Sequence, residues 1–172
     1  MNAKAVMIFR ISAKLGKKIH LDFDQSLPPN TNPFLDWSAH LFTADRAQYI
    51  LITNTASLDS MVMYGKGVTK ESPFLGDAIA AMGDVMNADR FATVLERVIA
   101  PAAHTTALAK RQNRSVIGSM NDLVYQAKFC LSDQELSPYR LSSLLNNVLM
   151  SYIDYQPPRE AFQRMLQGYP TL

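Results

Sequence analysis

The chain predicts an α+β fold: an antiparallel sheet of four or five strands from the N-terminal half, packed by about five helices. Three observations carry that prediction. Alternating apolar residues joined by short links fill the region up to Tyr64. Helical spacing of apolar residues dominates from Phe74 onward. The two patterns occur in succession rather than in alternation, which argues against a doubly wound parallel sheet.

At 172 residues, 48% hydrophobic and 19% charged, the chain is sized for a single domain, residues 1–172, with a substantial core. A formal net charge of +2 creates no global field for nucleic acid or an anionic membrane, although a local basic patch remains compatible with it. No run approaches the length of a membrane span. The apolar stretch Ala5 to Phe9 is too short for a signal peptide and ends at Arg10, so a cytoplasmic location is expected. Cys130 is the one cysteine, which excludes an intramolecular disulfide and fits a reducing compartment. Its apolar surroundings read as core packing.

Val6, Ile8 and Ile11 mark a first strand or hairpin, with Lys17-Lys18-Ile19-His20 closing that segment. A loop rich in Pro and Asn follows at 25–33. Strands are then expected at Trp37 to Thr43, Gln48 to Asn54 and Ser60 to Tyr64. The short links Ala44-Asp-Arg-Ala47 and Asn54-Thr-Ala-Ser57 imply an antiparallel meander, which Gly65-Lys-Gly67 ends.

Phe74, Leu75, Ile79, Met82, Val85 and Met86 predict the first long helix, after Ser72-Pro73. A second, capped by Asn87 or Asp89, carries Phe91, Val94, Leu95, Val98 and Ile99 and closes at Pro101. Residues 105–110 suit one more strand. Helices follow at about 115–131, 138–153 and 157–167, the last with Pro157-Pro158 at its start and Gly168 past its end.

The stretch Asn113-Arg-Ser-Val-Ile-Gly-Ser-Met-Asn-Asp122 singles itself out by its density of polar residues at a helix start. Val116, Ile117, Met120, Leu123, Val124, Ala127 and Leu131 make one apolar face. Arg114, Gly118, Asn121 and Tyr125 gather on the opposite one. Gly118 costs about 1 kcal/mol relative to Ala inside a helix, so it needs compensation, for which close approach of another backbone or a ligand is one candidate. Alternatively, Ser119-Met-Asn-Asp122 acts as a capping box, the helix starts at Met120, and Gly118 sits in a turn.

This block, with Thr106-Ala-Leu-Ala-Lys110 and Asp36-Trp-Ser-Ala-His-Leu-Phe42, resembles the bacterial domain-of-unknown-function family 6933 over roughly residues 7 to 166. In that family Leu takes the place of Ile117. The resemblance implies a shared fold and carries no catalytic residues with it.

The chemistry read from the residues is sparse. His20, His40 and His104 are far apart and belong to no metal-ligand spacing, so no metal or cofactor is expected. Neither a nucleophile elbow, a Walker A loop nor a dinucleotide fingerprint appears, and no catalytic residue is assigned. Arg10, Lys14, Lys17, Lys18 and His20 form one basic group; Lys110, Arg111 and Arg114 form another. Brought together they make a patch able to meet phosphates, diluted by Asp22, Asp24, Asp45 and Asp122.

The leading expectation is a non-enzymatic binding module that presents Arg114, Asn121 and Tyr125, flanked by Lys110 and Arg111, to a protein or nucleic-acid partner. The alternative is a small enzyme or ligand-binding protein with its site near Arg114, Ser115, Asn121, Asp122 and His40. A third reading gives the block a purely structural role.

Overall fold

In a computed structural model, which describes residues 5–22 and 25–169, five strands form one sheet in the order β4-β3-β2-β1-β5. The strands are β1 (Met7–Ile11), β2 (Asp36–Ala44), β3 (Ala47–Asn54), β4 (Ser60–Tyr64) and β5 (Thr106–Lys110). Residues 1–4, and Asp24 of the acidic set, lie outside the described residues.

The fold is α+β, but the sheet is mixed rather than antiparallel. The meander β2-β3-β4 is antiparallel as its short links require, whereas β1 runs parallel to both β2 and β5. The cause is the connections. Residues 12–35 between β1 and β2 are no hairpin: they contain a short helix α1 (Ala13–Lys18), which takes the place of the expected strand end at Lys17 to His20. Ser12 starts that helix by accepting a hydrogen bond from the Leu15 amide at 3.2 Å. β5 is reached from β4, at the far edge of the sheet, by a long helical crossover.

That crossover comprises α2 (Glu71–Ala88) and a helical segment α3 at residues 92–102, whose middle turn, Leu95–Ile99, is π-helical. Neither Asn87 nor Asp89 caps α3. Asn87 lies within α2, Asp89 is the residue after it, and α3 begins at Ala92, its N-cap position held by Phe91 without a side-chain hydrogen bond. After β5 come α4 (Arg114–Asp133), α5 (Pro138–Leu145) and α6 (Pro158–Gln167). The helix expected over 138–153 ends at Leu145; a 3-10 turn, Ser151–Ile153, follows.

Strand alternation sends side chains to two cores. On one face Met7, Phe9, Trp37, Ile50 and Met61 pack against Leu15 of α1, Phe74 and Met82 of α2, Val94 of α3 and Phe162 of α6. On the other face Phe42, Tyr49, Leu51 and Val62 meet Val116, Met120 and Leu123 of α4 and Leu141 and Leu145 of α5. The outer edge of β4 is not bare. Ser142 Oγ accepts from the Val62 amide at 2.8 Å, and Asn146 pairs with both backbone groups of Ser60 at 2.7 and 2.8 Å.

At the amino end of the sheet Arg10 and Asp36 form a buried bidentate pair, both bonds 2.8 Å. Nη1 donates to the Leu27 carbonyl, and Nη2, which also holds Asp36, donates to the Pro28 carbonyl, tying down the proline-rich loop. Burial raises the Asp36 pKa, but Arg10, the Asn30 amide and the Thr55 hydroxyl outweigh it, leaving the carboxyl below its usual range.

Candidate functional site

The polar block folds as helix from Arg114 onward. Asn113 is its cap, accepting from the amides of Ser115 and Val116 at 3.0 and 3.1 Å. The Ser119 capping box does not form. Ser119 is buried and donates back to the Ser115 carbonyl at 2.9 Å, and Gly118 lies mid-helix. No close neighbour explains that glycine: a Cβ built there meets nothing within 4 Å. Val116, Met120, Leu123 and Ala127 bury the inner face as expected, which offsets the glycine's helix cost.

Arg114, Asn121 and Tyr125 are all exposed, Tyr125 at 71%. Tyr125 and Asp122 line a shallow groove with Leu149 and Tyr155, themselves 63% and 73% exposed. Arg111 and Lys110 line a different groove from Tyr125. They turn toward the carboxyl end of the sheet, where the topology makes a crevice.

β1 ends at Ile11 and its parallel neighbour β5 at Lys110. The helix after β1 packs on one face of the sheet and the helix after β5 on the other. Chains that diverge in this way leave a gap outside the strand ends, the usual ligand position in open α/β sheets. Here the gap is a cleft of about 500 Å³ between the loops at Ser12 and Arg111. Its walls include Ser12, Gly16 and Lys17 from the α1 side and Lys110, Arg111 and Ile117 from the α4 side, with Asp22 exposed among them. The sequence-level basic groups thus do meet, through Lys17, Lys110 and Arg111.

Arg111 is the unusual member. It is half-buried, and its one recorded side-chain contact is from an Nη to the Met120 sulfur at 3.9 Å. Its Nε is buried without a hydrogen-bond partner, and no carboxylate among the described residues pairs with it. Burial lowers its pKa, yet a guanidinium keeps its charge under such conditions.

His40, on β2, stands within the field of Arg111. Its Nδ1 is buried and unpartnered. Burial pushes its pKa down to about 4, and Arg111, Lys14 and Lys128 add to the shift, so the ring is neutral at pH 7. His40 is not among the cleft's walls, nor are Arg114, Ser115, Asn121 or Asp122. Of the residues proposed from sequence, therefore, Lys110 and Arg111 line the cleft and His40 adjoins it electrostatically. Arg114, Asn121 and Tyr125 form a separate exposed face. Ser12 escaped the sequence reading, although Ser before Leu15 and Ile19 at helical spacing was a usable signal for a capped helix there.

Among the described residues no group of three His, Cys, Asp or Glu could hold a metal ion, and no helix is long and apolar enough to cross a membrane. A search of curated proteins finds no match to the chain. A family model described as Domain of unknown function (DUF6933) matches residues 8–161, from the second residue of β1 to the first turn of α6. The chain belongs to that family.

Proposed function

We propose that the protein binds a small anionic ligand, phosphate- or carboxylate-bearing, in the cleft between the carboxyl ends of β1 and β5. The observation that carries this is the half-buried Arg111 guanidinium, unpaired by any described carboxylate and with an orphaned Nε. An unpaired buried cation is costly to a fold, and an anion entering the cleft supplies the missing partner. The Lys17 side chain adds charge, and the neutral His40 ring lies in the same electrostatic neighbourhood. Guanidinium geometry favours a planar, bidentate acceptor such as a phosphate or carboxylate.

Calorimetric titration with inorganic pyrophosphate tests the reading. Wild type is expected to bind, and Arg111→Met to weaken binding at least tenfold, roughly the effect of removing one partner of a buried charge-assisted contact. Unchanged affinity in the variant would overturn it.

A second reading keeps Arg114, Asn121 and Tyr125 as a docking face for a protein or nucleic-acid partner. It is favoured by the exposed run of Tyr125, Leu149 and Tyr155 along one groove.

A further inference from the structure

A second cleft opens on the same edge of the sheet, about 760 Å³ in volume, where the β2–β3 hairpin meets the end of β4. Its walls carry Lys18, Arg46 and Lys66, and no carboxylate among the described residues lines it; Asp45 faces the neighbouring groove. Arg46 and Lys66 are exposed and form no ion pair with any described carboxylate. Lys18 donates to the neutral Gln48 Oε1 at 2.6 Å, so its charge is held in place without being cancelled.

The local backbone aims this set. The hairpin turn places Asp45 and Arg46 at φ of 44° and 64°, a two-residue turn usually given to Asn and Gly. The Gly65-Lys-Gly67 segment, which fits no phosphate-loop spacing, has a different job here. Gly65 donates to the Gln48 carbonyl at 2.7 Å, and a Cβ on it would stand 3.1 Å from Gln48 Cβ. Gly67 takes φ +82°. The two glycines let the chain turn tightly against the hairpin, leaving Lys66 across from Arg46.

The fourth wall is aromatic. Tyr64 is 55% exposed, and its ring lies 5.6 Å from Tyr49, which stacks on Phe42 at 5.5 Å. A ring braced by such a ladder and still open to solvent is a stacking platform.

From this juxtaposition we infer that the hairpin cleft binds a nucleotide unit, its base against Tyr64 and its phosphate among Lys18, Arg46 and Lys66. Cations interleaved with an exposed aromatic ring are the combination that recognises nucleotides in single strands or free in solution. The inference does not depend on the β1/β5 cleft; α1 merely contributes Lys17 to one and Lys18 to the other.

The test uses the full chain with fluorescein-labelled (dT)10 in anisotropy, and AMP and inorganic phosphate in calorimetry. Wild type is expected to bind (dT)10 with an affinity that falls as salt rises. Lys66→Glu should weaken it about tenfold or more, Tyr64→Ser several-fold, and Tyr64→Phe little, since the ring is kept. If AMP binds more tightly than phosphate with the same sensitivity to Tyr64→Ser, the ligand is a free nucleotide; if only (dT)10 binds, it is a strand. Should Tyr64→Ser fail to fold, Lys66→Glu and Tyr64→Phe still decide. The inference is overturned if neither (dT)10 nor AMP binds at low salt, or if Lys66→Glu leaves binding unchanged. Equal binding of AMP and phosphate without (dT)10 binding would overturn it too. The (dT)10, AMP and phosphate titrations are repeated in Arg111→Met, which removes the anion partner proposed for the β1/β5 cleft; binding there that still depends on Lys66 and Tyr64 belongs to the hairpin cleft, so failure at one cleft is distinguishable from failure at the other.

Discussion

The two ends of the sheet treat buried polar groups in opposite ways. At the amino end Arg10 and Asp36 satisfy each other, and the spare donors and acceptors find Leu27, Pro28, Asn30 and Thr55. Close by in the fold, just ahead of β4, Asp59 is fully buried with both carboxylate oxygens unpartnered, and no cleft described above is lined by it. Burial, and then the nearby Asp89, push its pKa up to about 8 despite Arg159, so a proton neutralises the group. At the carboxyl end Arg111 has no comparable escape, because a guanidinium does not give up its proton. It lines an open cleft instead. An orphaned group that can change its charge is compatible with a sealed interior; one that cannot is found here at an open cleft.

The largest expected effect lies in the satisfied pair. Asp36→Ala strands the Arg10 cation in the interior and should cost about 3–5 kcal/mol. For a chain of this length that is a fall in melting temperature of roughly 10 °C or more. A loss of only a degree or two would show that the amino end is not as tightly satisfied as its geometry says.

Asp59 comes next and gives a signed pH dependence. Its folded pKa, about 8, exceeds the unfolded value of 3.8, so the folded state holds a proton that the unfolded chain releases. Its contribution to stability is therefore complete at low pH and lost as pH rises toward 8. Melting temperatures should fall between pH 6.5 and 8 in wild type and fall much less in Asp59→Asn. Parallel curves would mean that Asp59 is already ionised or paired.

His40 works in the other direction. Its folded pKa, about 4, lies below the unfolded 6.5, so stability from this group is present above pH 6.5 and lost as pH drops toward 4. Wild type carries the His40 and Asp59 slopes together, and they oppose each other below pH 6.5. His40→Gln should accordingly leave a curve that declines steadily from pH 4 upward, where wild type is flatter.

The smallest effect belongs to the exposed face. Arg114→Ala removes an exposed side chain that makes no hydrogen bond or ion pair among the described residues and should change stability by no more than about 0.5 kcal/mol. A loss of several degrees in melting temperature would give that face a structural job and remove the second functional reading.

Local pattern made much of this fold legible. β4 runs from Ser60 to Tyr64 as its apolar run and flanking turn residues indicate, and α6 begins after Pro157 and stops before Gly168 as read. What escaped was set by groups distant in sequence. β1 is too short to reveal its direction, and the six-residue helix behind it falls below the length at which periodicity is convincing. Asn113 and Ser119 both carry capping chemistry. The choice fell to Asn113 because starting there buries Val116 and Ser119 against the sheet. The candidate site was legible in part: Lys110 and Arg111 stand out as basic residues after a strand. The feature that distinguishes Arg111, burial without a partner, arises only when two helices leave neighbouring strands for opposite faces.

On the proposed reading Arg111 is kept for an external anion at some expense to stability. Thermal melts of wild type and Arg111→Met, each with and without pyrophosphate, test it most directly. The variant should melt above wild type in the absence of the anion, by about 1–2 kcal/mol of added stability, because an apolar side chain replaces an unpaired buried cation. Pyrophosphate should raise the melting temperature of wild type alone. A variant that melts several degrees lower, or that gains as much from pyrophosphate as wild type does, would contradict the account.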